Sequence, residues 1–179
     1  MDTTRVEKYL DDFGNQVVDD AKKELAASKD AMGKARGNTE LGKSIRFEVV
    51  PTDTGFSTRF YMLDYGEFLD KGVSGTEQQI SFENYKGETR SSAYSYTTKQ
   101  PPSGILELWI KKKGLKGKDM GSTKSFAFAI AKSIKRHGIK SLSFFQKPLG
   151  IGYDLLKENL LTELKLDIET YLTTFYRPK

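Results

Sequence analysis

The sequence predicts an α+β fold, a small antiparallel sheet flanked by N- and C-terminal helices, and three observations point to it. A helical periodicity opens the chain, a second and more regular one closes it, and two short alternating runs joined by a Pro/Gly turn lie between them. A polar stretch over 77–102 has too few aliphatic residues for a core element and is expected to be a long arm inserted in a single domain spanning 1–179.

In the opening helix, expected from Val6 to about Met32, Leu10, Phe13, Val17, Ala21 and Leu25 recur at three- and four-residue steps while most charged residues lie off that stripe. Residues 33–37 are small and basic and predict a loop. Ser44–Val50 and Ser57–Leu63 predict a hairpin, because Ile45, Phe47 and Val49 alternate with Ser44, Arg46 and Glu48 and because Pro51 and Gly55 belong in a turn. One face of this hairpin is expected to pack on the first helix. The stretch from Leu63 to Thr76 mixes Tyr65, Phe68 and Leu69 with Asp64, Glu67 and Asp70 and carries glycines at 66, 72 and 75, which reads as a strand or short helix running into a glycine-rich turn.

In the arm, Phe82, Tyr85, Tyr94 and Tyr96 stand among Ser, Thr, Gln and Gly. Aromatic side chains in a polar loop gain more against a partner than in water, so the arm is expected to order between subunits. Ser103 to Lys113 predicts a short helix with Ser103 as its cap, Leu106, Trp109 and Ile110 on one face, and Gly114 as its stop. Thr123 to His137 predicts another, with Phe126, Ile130 and Ile134 in one row and Ala127 and Ala131 in a row small enough to admit a neighbouring helix. Ile139 to Phe145 is expected as a short third strand. Pro148 then introduces the last helix, whose stripe runs through Leu156, Leu160, Leu164, Ile168, Tyr171 or Leu172, and Phe175.

Composition narrows the chemistry. The 179 residues contain no cysteine and one histidine, which excludes disulfides, thiolate catalysis and zinc sites built on Cys or several His. No apolar run reaches the roughly 20 residues that a membrane span needs, and the first residues resemble no signal peptide, so folding in a cytoplasm is expected. A hydrophobic fraction of 37% against 30% charged residues suits a surface partly buried on other subunits, and equally a plain polar monomer. The net charge of +5 permits contact with nucleic acid without requiring it.

No catalytic constellation, cofactor site or metal site is expected. His137 has no identifiable partner and sits beside Gly138 in a last helical turn, where a cap or dipole role is the expectation. Asp64, Glu67 and Asp70 match no calcium loop, and their interleaved aromatics predict solvated or subunit-bridging acids. Lys111, Lys112, Lys113, Lys116 and Lys118 gather in one loop, with Lys132, Lys135, Arg136 and Lys140 following. Such a patch suits sequence-independent phosphate contact, a solvated face or an acidic neighbour.

Three segments, Thr39-Glu40-Leu41-Gly42-Lys43-Ser44-Ile45, Tyr65-Gly66-Glu67-Phe68-Leu69-Asp70-Lys71-Gly72 and Phe144-Phe145-Gln146-Lys147-Pro148-Leu149, occur in an order that resembles the tail-completion, or head-tail connector, proteins of tailed bacteriophages. The resemblance implies a strand entry at the first segment and a C-terminal helix opened by the third. It also implies a structural virion protein, made in the host cytoplasm and placed in the neck or tail. There it would form a ring of six or twelve subunits that joins the portal to adjacent connector and tail proteins around the DNA channel. Tyr65, Glu67, Phe68 and Asp70, with Tyr85, Tyr94 and Tyr96 of the arm, are the residues expected at subunit contacts. Lys111, Lys112, Lys113, Lys116 and Lys118 are the candidates for contact with DNA or the neighbouring ring. The alternative from another class is a free basic DNA-binding protein acting in the cytoplasm.

Overall fold

A computed structural model describes residues 4–30, 33, 35–115 and 121–175. In chain order the elements are α1 (Thr4–Ala27), α2 (Glu40–Ser44), β1 (Arg46–Thr52), β2 (Gly55–Tyr61), α3 (Tyr65–Lys71), β3 (Ser81–Glu83), β4 (Thr89–Ser91), α4 (Ser103–Lys113), α5 (Thr123–His137) and α6 (Gln146–Phe175). The fold is α+β, as the sequence predicts. Its two sheets have two strands each, β1-β2 and β3-β4. The chain forms two compact units, one of residues 1–66, 83–88 and 143–179 and the other of residues 67–82 and 89–142.

The first unit is built on side-chain packing. Along α1 the expected stripe is the buried one: Val17 and Ala21 are fully enclosed and Leu25 nearly so. α6 packs along α1, and a Cβ added at Gly152 would meet Val17 and Phe13, so glycine there lets the helices approach. At the start of α1 the buried carboxylate of Asp167 accepts a hydrogen bond from the Val6 amide at 3.1 Å, meeting one of the donors a helix leaves open in its first turn. β1 and β2 pair antiparallel, with Thr52 opposite Gly55 and only Asp53 and Thr54 in the turn. Phe47 lies opposite Phe60 in this register, and the Phe60 ring meets Phe13 of α1 edge-on at 6.1 Å. The hairpin therefore packs on the first helix as expected.

Several boundaries differ from the sequence reading, each for a local reason. α1 stops at Ala27, where Ser28 Oγ donates to the Leu25 carbonyl; Met32, its expected end, lies outside the described residues. The expected strand entry at 39–45 is the short helix α2, because the Thr39 hydroxyl accepts from the Gly42 amide at 3.1 Å and caps a helical turn. The expected strand at 139–145 is a single bridge between Val73 and Ile139. After it the Leu142 amide donates to Leu69, and Ser143 turns left-handed at φ 48, which ends any extended run. Pro148 lies inside the first turn of α6, where its missing N–H removes no helical hydrogen bond.

In the second unit, α4 packs on α5 and buries Ile110 on one helix and Ala127 and Ala131 on the other. The alanine row is thus the close-approach face the sequence predicts. Ser103 is the first residue of α4 and caps nothing; Pro102 holds the N-cap position without a side-chain bond. Gly114 closes the helix in the left-handed conformation, and Ser122 caps α5 through its side chain.

The rest of the unit is a seam of backbone hydrogen bonds. Val73 and Ile139 exchange two bonds of 2.9 and 2.7 Å. The amides of Thr76 and Glu77 donate to the carbonyls of Lys135 and Arg136 at the end of α5. Ser74 donates to Tyr94 and accepts from Tyr96, a parallel bridge between Ser74 and Ser95. Gly75 and Gly138 make this approach feasible: a Cβ on Gly75 would run into the Arg136 carbonyl, and one on Gly138 into the Val73 carbonyl.

Candidate functional site

The expected contact residues fall into separate places. On α3, Glu67 points to Lys71 one turn later and pairs with it at 2.5 Å. Beside them the Phe68 ring meets Tyr94 edge-on at 4.5 Å. Hydrogen bonds from Lys71 and then from the Tyr94 hydroxyl hold the Glu67 carboxyl below its ordinary pKa, and the same bond to Glu67 pushes the Tyr94 hydroxyl up. Glu67, Phe68 and Tyr94 therefore form one cluster, with Phe68 still 40% exposed. Tyr96, two residues on, is partly enclosed, and burial pushes its hydroxyl pKa up.

Asp70 does not belong to that surface. It is 2% exposed, and its carbonyl accepts from Ser141 Oγ at 2.5 Å. The expectation of a solvated or subunit-bridging acid is thus corrected: Asp70 stands two positions after Phe68, about 200° round the seven-residue helix from that exposed ring, and its side chain is turned inward. Tyr65 is exposed and falls in the first unit. Tyr85 is in the first unit as well, where its ring meets Tyr153 of α6 edge-on at 5.4 Å and its amide donates to the buried Gln146 side chain. A Cβ on Gly150 would press on the Tyr85 carbonyl, so the helix surface is shaped to receive this residue.

The segment expected as an arm carries backbone pairing of its own chain, in β3-β4 and in the bonds at Tyr94 and Tyr96. Sequence inspection missed this because the seam uses main-chain groups of Ser, Thr and Gly, which leave no hydrophobic period. The one local signal was the close spacing of Gly72 and Gly75.

The basic residues also divide. Lys111, Lys112 and Lys113 are all exposed at the end of α4, where their charge suits the negative end of the helix, and Lys111 pairs with Glu107 at 2.8 Å. Lys116 and Lys118 lie outside the described residues. On α5, Lys135 donates to the Thr98 carbonyl at 2.8 Å and Arg136 pairs with Glu77 at 2.7 Å, so both are engaged by the 77–98 segment. His137 places Nδ1 3.1 Å from the Ser133 carbonyl oxygen in the last turn of its helix, the cap position expected of it.

Three features were not legible as sites. In the first unit an apolar groove of about 720 Å³ opens between α1, the hairpin tip and α6, with Leu10, Phe56, Tyr153 and Leu160 in its wall. The apolar stripe of α6 is open to solvent in the second half of the helix, where Leu164 and Ile168 are 37% and 40% exposed and Leu172 is 53% exposed. The Phe175 side chain lies outside the described residues. On α4, Ile105 and Leu108 are open to solvent although neither was singled out from sequence as a surface residue.

Among the described residues no group of three or more His, Asp or Glu could hold a metal ion, and no helix is long and apolar enough to cross a membrane. No protein-family model, no curated protein and no solved structure matches the chain.

Proposed function

We propose that this chain is a structural subunit of a tailed-phage particle, one layer of the neck or tail in which a ring of six or twelve copies joins the portal to the tail around the path of the DNA. Its role is mechanical: it carries no cofactor, catalyses no reaction, and acts by burying its contact surfaces on neighbours. The observation that carries this reading is the cluster of Glu67, Phe68 and Tyr94. An aromatic pair is fixed edge-on and tied to a carboxylate, while Phe68 keeps 40% of its surface in water. A surface held in place yet left apolar suits a partner of defined shape. In a ring this cluster meets a different surface of the next subunit, a heterologous contact. The resemblance of the three segments to head-tail connectors supplies the kind of assembly.

The test is quantitative mass spectrometry of purified particles of the virus encoding this chain, scaled to the portal. One-half or one copy per portal subunit is expected; absence from intact particles overturns the reading.

A second reading, a free basic DNA-binding protein, is favoured by the exposure of Lys111, Lys112 and Lys113 on one helix end. It requires the isolated chain to bind duplex DNA with an affinity that falls steeply as salt rises. The ring reading requires weak binding by the isolated chain.

A further inference from the structure

We infer that the second half of α6 is a self-recognition surface, on which a second copy of this chain lays its own α6 antiparallel about a twofold axis. Leu161, Leu164, Ile168 and Leu172 stand at steps of three and four residues, so they share one side of the helix. They are 72%, 37%, 40% and 53% exposed. Asp167 and Gly152, on another side, are the positions turned toward α1.

Three features select this occupant. The first is that the stripe is its own mirror. With the axis at the level of residues 166 and 167, Leu161 of one copy lies opposite Leu172 of the other, and Leu164 opposite Ile168.

The second is charge. Lys165 and Glu169 form one flank of the stripe, exposed and 3.7 Å apart within the chain. Antiparallel twofold pairing brings that flank against itself, so Lys165 of each copy meets Glu169 of the other. Parallel pairing sets it against the opposite flank and forms neither pair.

The third is room. α1 begins beside Asp167, as the Val6 bond shows, and runs back along the earlier part of α6. The last turns of α6, about 12 Å at 1.5 Å per residue, continue past that point. A twofold axis at the same level places the α1 helix of each copy over a different half of the pair, and the two do not overlap.

This contact is isologous, unlike the heterologous contacts of a ring, and it stands or falls on the isolated chain whatever the particle assay gives. Sedimentation equilibrium of the full chain is expected to show a concentration-dependent dimer. Lys165→Glu and Glu169→Lys, each on an exposed position, are each expected to weaken association about tenfold with helicity unchanged by circular dichroism. An equimolar mixture of the two variants is expected to regain wild-type association, because each chain then meets its opposite charge across the axis. A bridge within one chain cannot produce that recovery. A wild-type chain that stays monomeric at the highest attainable concentration, or a mixture no stronger than its separate variants, overturns the inference.

Discussion

The α1-α6 pair with its hairpin and the seam around residues 72–78 are held together in opposite ways. In the first, enclosed side chains do the work: Val17, Ala21, Leu25 and Phe144 are at or below 2% exposure. In the second, main-chain groups join the 72–77, 92–96 and 135–139 segments, and glycines clear the space. A packed core tolerates exchange of one apolar residue for another of similar volume, whereas a backbone seam tolerates any side chain that points away and none where two segments touch. The two regions should therefore fail under opposite substitutions.

The largest effect is expected from removing volume in the first unit. Phe144→Ala should lower stability by about 3–5 kcal/mol, the range for emptying a buried aromatic site, read from urea denaturation. In the seam the sensitive change is addition. Gly75→Ala should cost about 2–3 kcal/mol, since its methyl meets the Arg136 carbonyl and a carbonyl in a hydrogen-bonded seam cannot step aside. If Gly75→Ala were neutral while Phe144→Ala was not, the contrast between the regions would be wrong.

Helix capping comes next. Asp167→Ala leaves the start of α1 without its acceptor and should cost about 1–2 kcal/mol. Smaller still is the ion pair between Arg136 and Glu77, whose partners are each about half exposed. Arg136→Gln should leave the urea unfolding midpoint nearly unchanged, because the main-chain bonds at 135 and 136 remain.

The smallest effect is on pH dependence. The Glu67 carboxyl is held below its ordinary value of 4.5, so its contribution is present above that pH and is lost as pH falls through the lowered folded value. The side chain is 49% exposed, which limits the change to a few tenths of a kcal/mol. Comparing unfolding midpoints at neutral and acid pH for the wild-type chain and Glu67→Gln reads it directly: the variant should lose only this acid-side component.

The same contrast explains what was legible in the sequence. Where side chains carry the structure, their periodicity is visible. The α1 stripe, the hairpin with Phe47 and Phe60, the Ala127 and Ala131 row and the stop at Gly114 follow from residue spacing. Where the main chain carries it, the letters are Ser, Thr, Gly and Gln, and the 77–102 segment reads as an arm although its backbone is bonded at Glu77, Ser92, Tyr94 and Tyr96. The helix α2 was hidden because Thr39 caps a single turn too short to show a period. Of the residues expected at contacts, the exposure of Glu67 and Phe68 was legible because a short amphipathic helix leaves both outside. Asp70 was not, since burial of a carboxylate depends on partners distant in sequence. The α6 stripe was visible, but where it stops facing the core depends on where α1 begins, and spacing within α6 carries no trace of that.

The claim that joins these observations is that the segment bearing Tyr94 and Tyr96 is folded on its own chain, so that the Glu67, Phe68 and Tyr94 surface exists before any partner arrives. Amide hydrogen exchange of the isolated full chain tests it most directly. Protection of the Val73, Ser74, Thr76, Ser92 and Tyr96 amides, comparable to that of interior amides in α5, is the predicted result. Exchange of these amides at unfolded-chain rates, with α5 still protected, would contradict it.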